Sequence, residues 1–181
     1  AEAQGVDPEA VEIWMGTLSK TLSSCGGYIA GPKALIEVLR YTAPGFVFSV
    51  GLAAPLAATA LAALEAMLAE PERVARLEAN GQHLRRRALE AGLDTGYSEG
   101  HAVTPIIIGD SFRTALVADD ILRGGVNALP IIAPAVPDKQ ARLRFFLTSE
   151  HTDAEIDQAI AVTAAAVEAR KGEDVLSRLR S

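Results

Sequence analysis

A lysine set among small and hydroxylated residues is the first group in this sequence able to do chemistry. Gly16-Thr17-Leu18-Ser19-Lys20-Thr21 lies between two short apolar runs, Val11 to Met15 and Tyr28 to Ala30, and is followed by Leu22-Ser23-Ser24-Cys25-Gly26-Gly27. Both apolar runs read as strands, the first bounded by the Asp7-Pro8 turn signal. A lysine between two such strands is expected to be partly desolvated, which favours the free amine, the nucleophilic form. The Thr17, Ser19 and Thr21 hydroxyls, with glycine amides nearby, suit a phosphate-bearing partner. This combination points to Lys20 as a Schiff-base lysine for pyridoxal phosphate.

The elements that must position Lys20 follow in order. Pro32-Lys33 opens a helix to about Arg40, with proline in its first turn and Leu35, Ile36, Val38 and Leu39 on an apolar face. Tyr41 to Gly45 breaks it, and Phe46-Val47-Phe48-Ser49 is expected to be extended. An alanine-rich helix from about Pro55 to Ala69 is apolar nearly all round, so it is expected to be covered on most sides. Pro71 starts a further helix, Glu72 to Ala91, with Val74, Leu77, Leu84 and Leu89 inward and Gly92 ending it. Strands are expected at 102–108, 126–132 and 142–148, and helices at 111–123 and 154–169. Ser111 and Thr152-Asp153 are the expected caps of those two helices. That order describes an α+β layer with its helices on one face of a sheet.

Three stretches resemble one family, the α-oxoamine synthases. They are the lysine segment with Gly26-Gly27-Tyr28-Ile29-Ala30-Gly31, then Thr104-Pro105-Ile106-Ile107-Ile108-Gly109-Asp110, and Ala133-Pro134-Ala135-Val136-Pro137 followed by Ala141-Arg142-Leu143-Arg144. The resemblance covers essentially the whole chain. It implies the C-terminal part of an α/β fold-type-I transferase dependent on pyridoxal 5'-phosphate. Residues 1–70 would close the large cofactor-binding domain, and 71–181 would form a small C-terminal α/β domain. The implied reaction joins an amino acid to an acyl-CoA or acyl-carrier thioester, decarboxylatively in most members, in a homodimer.

Roles follow residue by residue. Lys20 would hold the cofactor and move the α-proton, and Thr17 would bind the cofactor phosphate. Ser49 would reach the phosphate held by a partner subunit. Arg144 would bind the substrate carboxylate, where planar two-point recognition favours arginine. The plainer readings are a strand-end hydroxyl for Thr17, a turn hydroxyl for Ser49, and an ion pair with an acid such as Glu150 for an arginine of this strand. His101 is expected to be a hydrogen-bonded structural histidine, and Cys25 a small packing residue.

Two departures qualify the match. Ala135 stands where 8-amino-7-oxononanoate synthases typically have threonine, removing a hydroxyl near the substrate. The family's aspartate for the pyridinium nitrogen and its ring-flanking histidines lie upstream of the lysine, and Asp7 does not fit that motif. The sequence is therefore expected to be a C-terminal portion that acts with an N-terminal remainder of the same protein. A fold-type-I aminotransferase and a non-catalytic lobe are the competing readings.

Bulk properties narrow the class. Among 181 residues the formal charge is −6, and Arg85-Arg86-Arg87 lies in a charged helical stretch, which argues against a nucleic-acid partner. One cysteine excludes an internal disulfide and fits a reducing compartment. Val50 to Leu68 is long enough to span a bilayer, but Pro55, Glu65 and its many alanines favour a buried helix. No metal-ligand spacing involves His83 or His151. A cytoplasmic protein with no membrane span is expected.

Overall fold

The computed structural model describes residues 4–172, and the chain divides into two compact units, Ala1–Glu70 and Pro71–Ser181. In the first unit β1 (Trp14–Thr17) and β2 (Gly27–Ala30) form an antiparallel hairpin. Three helices follow: α1 (Lys33–Thr42), the short α2 (Pro44–Val47) and α3 (Ala54–Ala69). The first strand begins later than the apolar run suggests, at Trp14 rather than Val11. Pairing with β2 decides this, because it sets Gly16 opposite Tyr28 and Thr17 opposite Gly27. A Cβ at Gly16 would collide with the Tyr28 ring, so the glycine is where that ring lies across the hairpin.

Two further expectations fail in this unit. Phe46-Val47 belongs to a helical turn, not an extended piece, because Pro44 starts a turn in which Val47 and Phe48 amides donate to the Ala43 and Pro44 carbonyls. The alanine-rich α3 is not covered, and none of its residues is buried. Leu18 is the buried apolar side chain of this unit among the described residues. Phe46, Phe48, Val50 and Leu68 all remain exposed. No described helix is long and apolar enough to cross a membrane.

The second unit contains α4 (Pro71–Glu90), β3 (Val103–Gly109), α5 (Ser111–Arg123), β4 (Leu129–Ile131), β5 (Ala141–Phe146) and α6 (Asp153–Ala169). Its sheet is antiparallel in the order β3-β5-β4. Strand alternation sorts the two faces. Thr104 and Ile106 of β3 and Ala141, Leu143 and Phe145 of β5 point to one face and are buried. Ile106, Leu143 and Phe145 share one core with Leu84 and Ala88 of α4, Val117 and Ile121 of α5, and Ile156 and Ile160 of α6. All three helices thus cover one face, as the order of elements predicts.

Inside α4 the inward set differs from expectation. Leu84 is buried, whereas Val74 and Leu89 are exposed. The middle of the helix instead packs on loop backbone. Gly81 lies against the carbonyls of Gly100 and His101, while Gln82 and Arg85 donate to the carbonyls of Glu99 and Ser98 at 2.7 Å each. The α5 cap is Asp110 rather than Ser111, its carboxylate accepting from the Arg113 amide at 2.7 Å. Thr152 caps α6 as expected, in a reciprocal capping box with Glu155.

Candidate active site

Lys20 lies in the connection between β1 and β2, at the start of a tight turn in which the Ser23 amide donates to the Lys20 carbonyl at 2.9 Å. Ser23 completes the turn in the left-handed region at φ 49. Two further backbone bonds close the loop, from Leu18 to Gly26 and from Ser24 to Leu18, at 2.9 Å each. Leu18 is the residue that turns inward, and Lys20 is exposed. The expectation of a partly desolvated lysine is corrected here: it stands exposed in the loop of a two-stranded hairpin.

Two hydroxyls of the motif, those of Thr17 and Ser19, meet each other. Thr17 Oγ1 lies 2.8 Å from Ser19 Oγ, accepts from the Ser19 amide at 3.2 Å and reaches the Gly26 carbonyl at 3.3 Å. Ser24 Oγ donates to the Leu56 carbonyl at 2.7 Å, which ties the loop to the start of α3. Cys25 is exposed, so it does not pack inward as its small size suggests. Ser49 donates to the Phe46 carbonyl at 3.0 Å and accepts from the Gly51 amide at 3.3 Å, closing the end of the α2 turn. Asp7 accepts from the Glu9 amide at 3.0 Å, the cap of a short 3-10 turn.

In the second unit the sheet face opposite the helices carries the arginines. The register places Arg144 between Pro105 of β3 and Leu129 of β4, and Arg142 between Ile107 and Ile131. Two arginines therefore lie in a row of apolar neighbours, but their surroundings differ. Arg142 donates to the carbonyl and side-chain oxygens of Gln140, at 2.9 and 3.2 Å. Arg144 has no hydrogen bond or ion pair among the described residues; its guanidinium carbon sits 4.8 Å from the centroid of the Phe146 ring. The alternative partner, Glu150, is occupied elsewhere, with Arg73 at 3.1 Å and Arg76 at 3.8 Å.

His101 does not play the expected part. Its ring is exposed, with Glu99 at 3.5 Å, and what matters structurally is its carbonyl, which meets Gly81 and accepts from the Thr104 hydroxyl at 3.3 Å. His83, whose spacing gives it no metal-ligand role, lies 2.9 Å from Asp157 across the α4 and α6 pair. Arg87 joins the same carboxylate at 2.7 Å. The Arg87 hydrogen bond, and after it that of His83, holds the Asp157 carboxyl below its usual range. The i, i+4 spacing of His83 and Arg87 was the available signal, but their partner lies far along the chain. Among the described residues no group of three metal-ligating side chains comes together.

The profile of the aminotransferase class I and II family matches residues 2–162. The chain belongs to that family. It is 42% identical over 154 residues to an 8-amino-7-oxononanoate synthase of Symbiobacterium thermophilum, a match covering 85% of this chain and 39% of that protein. A serine palmitoyltransferase of Sphingobacterium spiritivorum is 36% identical over 152 residues, covering 84% of this chain and 38% of that protein. A solved structure of SPT with PLP superposes with a TM-score of 0.85 at 25% identity, over 93% of this chain and 42% of that one. The chain thus spans about two fifths of the length of the relatives it matches. Both named relatives fall in the α-oxoamine synthase group that the lysine and proline-loop segments resemble. The mixed helix and sheet architecture is that of the fold-type-I transferases dependent on pyridoxal phosphate.

Proposed function

We propose that this chain supplies the cofactor lysine and the substrate-carboxylate arginine of an enzyme that condenses an amino acid with an acyl thioester. Pyridoxal 5'-phosphate would be held by Lys20 through its amine and by Thr17 at its phosphate, with Ser49 serving the phosphate held by a second copy in a homodimer. The observation that carries the reading is the Lys20 loop. An exposed amine follows hydroxyls already gathered within hydrogen-bond distance, on a hairpin whose register is fixed by the Gly16 and Tyr28 pair. That donor set fits an aldehyde bearing a phosphate, because an amine captures the one and hydroxyls with backbone amides hold the other.

When bound, the cofactor supplies an electron sink for the bonds at the amino acid's α-carbon. The chain's own residues do the rest. Arg144 orients the amino acid through its carboxylate, by two parallel N–H donors that no protein acid occupies among the described residues. The Lys20 amine would take the α-proton as general base. The exposed apolar side chains of the first unit, Phe46, Phe48, Val50 and Leu68 among them, would be covered by the rest of the protein and by the second copy. Amino acid, acyl thioester and a cytoplasmic location complete the reading. A transamination by the same lysine and arginine is the competing reaction of the wider family, and it needs no thioester.

The test uses the complete natural protein. Borohydride treatment should fix the cofactor onto Lys20, seen by peptide mass, and thiol release should require both amino acid and thioester. Lys20→Ala should abolish turnover. Arg144→Ala should raise the amino-acid KM about ten- to a hundredfold, the size of a lost charge-assisted contact of about 1.5–3 kcal/mol, with thioester binding unchanged. Normal turnover by Lys20→Ala refutes the lysine assignment, and equal loss for both substrates refutes that of Arg144.

A further inference from the structure

Arg144 is exposed on the open face of the sheet, without a carboxylate partner among the described residues, yet it is not loose. Its neighbours across the sheet are Pro105 and Leu129, neither of which offers a polar side chain. Two residues further along β5, on the same face, Phe146 lies under the guanidinium at 4.8 Å to the ring centroid. Arg142 shows what the alternative looks like, its guanidinium committed to Gln140 through two hydrogen bonds. A ring satisfies a guanidinium without using its N–H donors, since the attraction acts on the plane and not on the edge. It therefore restrains the cation while leaving both edge donors open to an incoming carboxylate.

We propose that Phe146 is a positioning residue for Arg144, pre-orienting its guanidinium for the carboxylate of the amino-acid substrate. Phe146 is half-exposed, at 51%, so it is poorly explained as a core residue; the buried aromatic of this strand is its neighbour Phe145 on the other face. A flexible arginine must lose side-chain freedom when it binds, and a ring that already holds it lowers that cost. This inference rests on the reading of Arg144 given above and adds to it a specificity element that depends on an aromatic face at this position.

The experiment compares Phe146→Leu, Phe146→Tyr, Arg144→Ala and the double variant Arg144→Ala/Phe146→Leu in the complete natural protein. Initial rates are measured against amino acid and thioester separately, and amino-acid binding is measured by calorimetry without the thioester. Phe146→Leu keeps apolar bulk and loses the ring. It should weaken amino-acid KM and Kd about two- to fivefold, the exposed-site range for a cation over a ring, with the thioester KM unchanged. Phe146→Tyr should behave as wild type. In the Arg144→Ala background Phe146→Leu should add nothing. Wild-type amino-acid binding by Phe146→Leu, or a full loss that persists without Arg144, overturns the proposal. If Arg144→Ala itself leaves amino-acid binding intact, the carboxylate reading fails; if it weakens binding and Phe146→Leu does not, the positioning role alone fails.

Discussion

Gly81→Ala should destabilise the second unit, although the substitution favours the helix. In an ordinary helix interior, alanine is preferred to glycine by about 1 kcal/mol. Gly81 is buried in α4, and a Cβ there would meet the Gly100 carbonyl oxygen, the His101 oxygen at 2.7 Å and the His101 carbonyl carbon at 2.8 Å. These are backbone atoms, so no rotamer change relieves the overlap. The loop they belong to is also pinned to α4 by Gln82 and Arg85, so moving it loosens both bonds. Overpacking of this kind costs about 1–3 kcal/mol, and each strained hydrogen bond adds about 0.5–1.5 kcal/mol at most. The overlap therefore outweighs the propensity gain, and the urea midpoint of the chain should fall. Ala79→Gly, two residues earlier at an exposed position, is the control; it should lower the midpoint through propensity alone. Opposite substitutions in neighbouring positions should thus both destabilise. A Gly81→Ala chain as stable as wild type would refute the reasoning, since the close approach of α4 to residues 100–101 could then not be as described.

Acid stability should depend on Asp157. Its carboxyl is held below the usual range, first by the Arg87 hydrogen bond and then by that of His83, so the unfolded chain binds its proton more readily. The contribution is complete above the ordinary aspartate range and is lost as pH falls through the lowered folded value. Asp157→Asn should flatten the fall of the urea midpoint between neutral and acid pH, and parallel curves for the two proteins would contradict this. Thr152→Ala removes half of a capping box whose other half is Glu155. It should cost about 0.5–2 kcal/mol, measured by urea unfolding and accompanied by faster amide exchange in the first turn of α6.

The second unit is largely legible in the sequence because its elements obey local rules. Strand alternation in Ala141 to Phe146 sorts Leu143 from Arg144 with no knowledge of the partner strands. The threonine and glutamate of the α6 capping box sit three residues apart, as that motif requires. One failure is local, at the α5 cap, and the others come where a distant group decides. Asp110 displaces Ser111 as the α5 cap by a single residue, within the reach of either side chain. Val74 and Leu89 satisfy a helical apolar pattern, yet α4 turns Gly81 toward loop backbone, and glycine carries no hydrophobic signal. The His83–Asp157–Arg87 cluster joins residues from α4 and α6, and only packing brings them together.

The lysine site was legible as a motif but not as an environment, and the reason bears on the chemistry. Residue type and spacing identify an amine among hydroxyls, and the hairpin brings those of Thr17 and Ser19 together. Desolvation is a property of whatever lies over the amine, and among the described residues the first unit offers little: Leu18 is its buried apolar side chain, while α3, the most apolar helix, buries no residue. Lys20 and α3 are both exposed in this chain, and the proposed reading has the rest of the protein cover them. On the proposed reading, this chain provides position: the amine, the hydroxyls and a guanidinium held on an aromatic face. Desolvation favours the free amine, so on that reading the cover over Lys20 matters as much as its position.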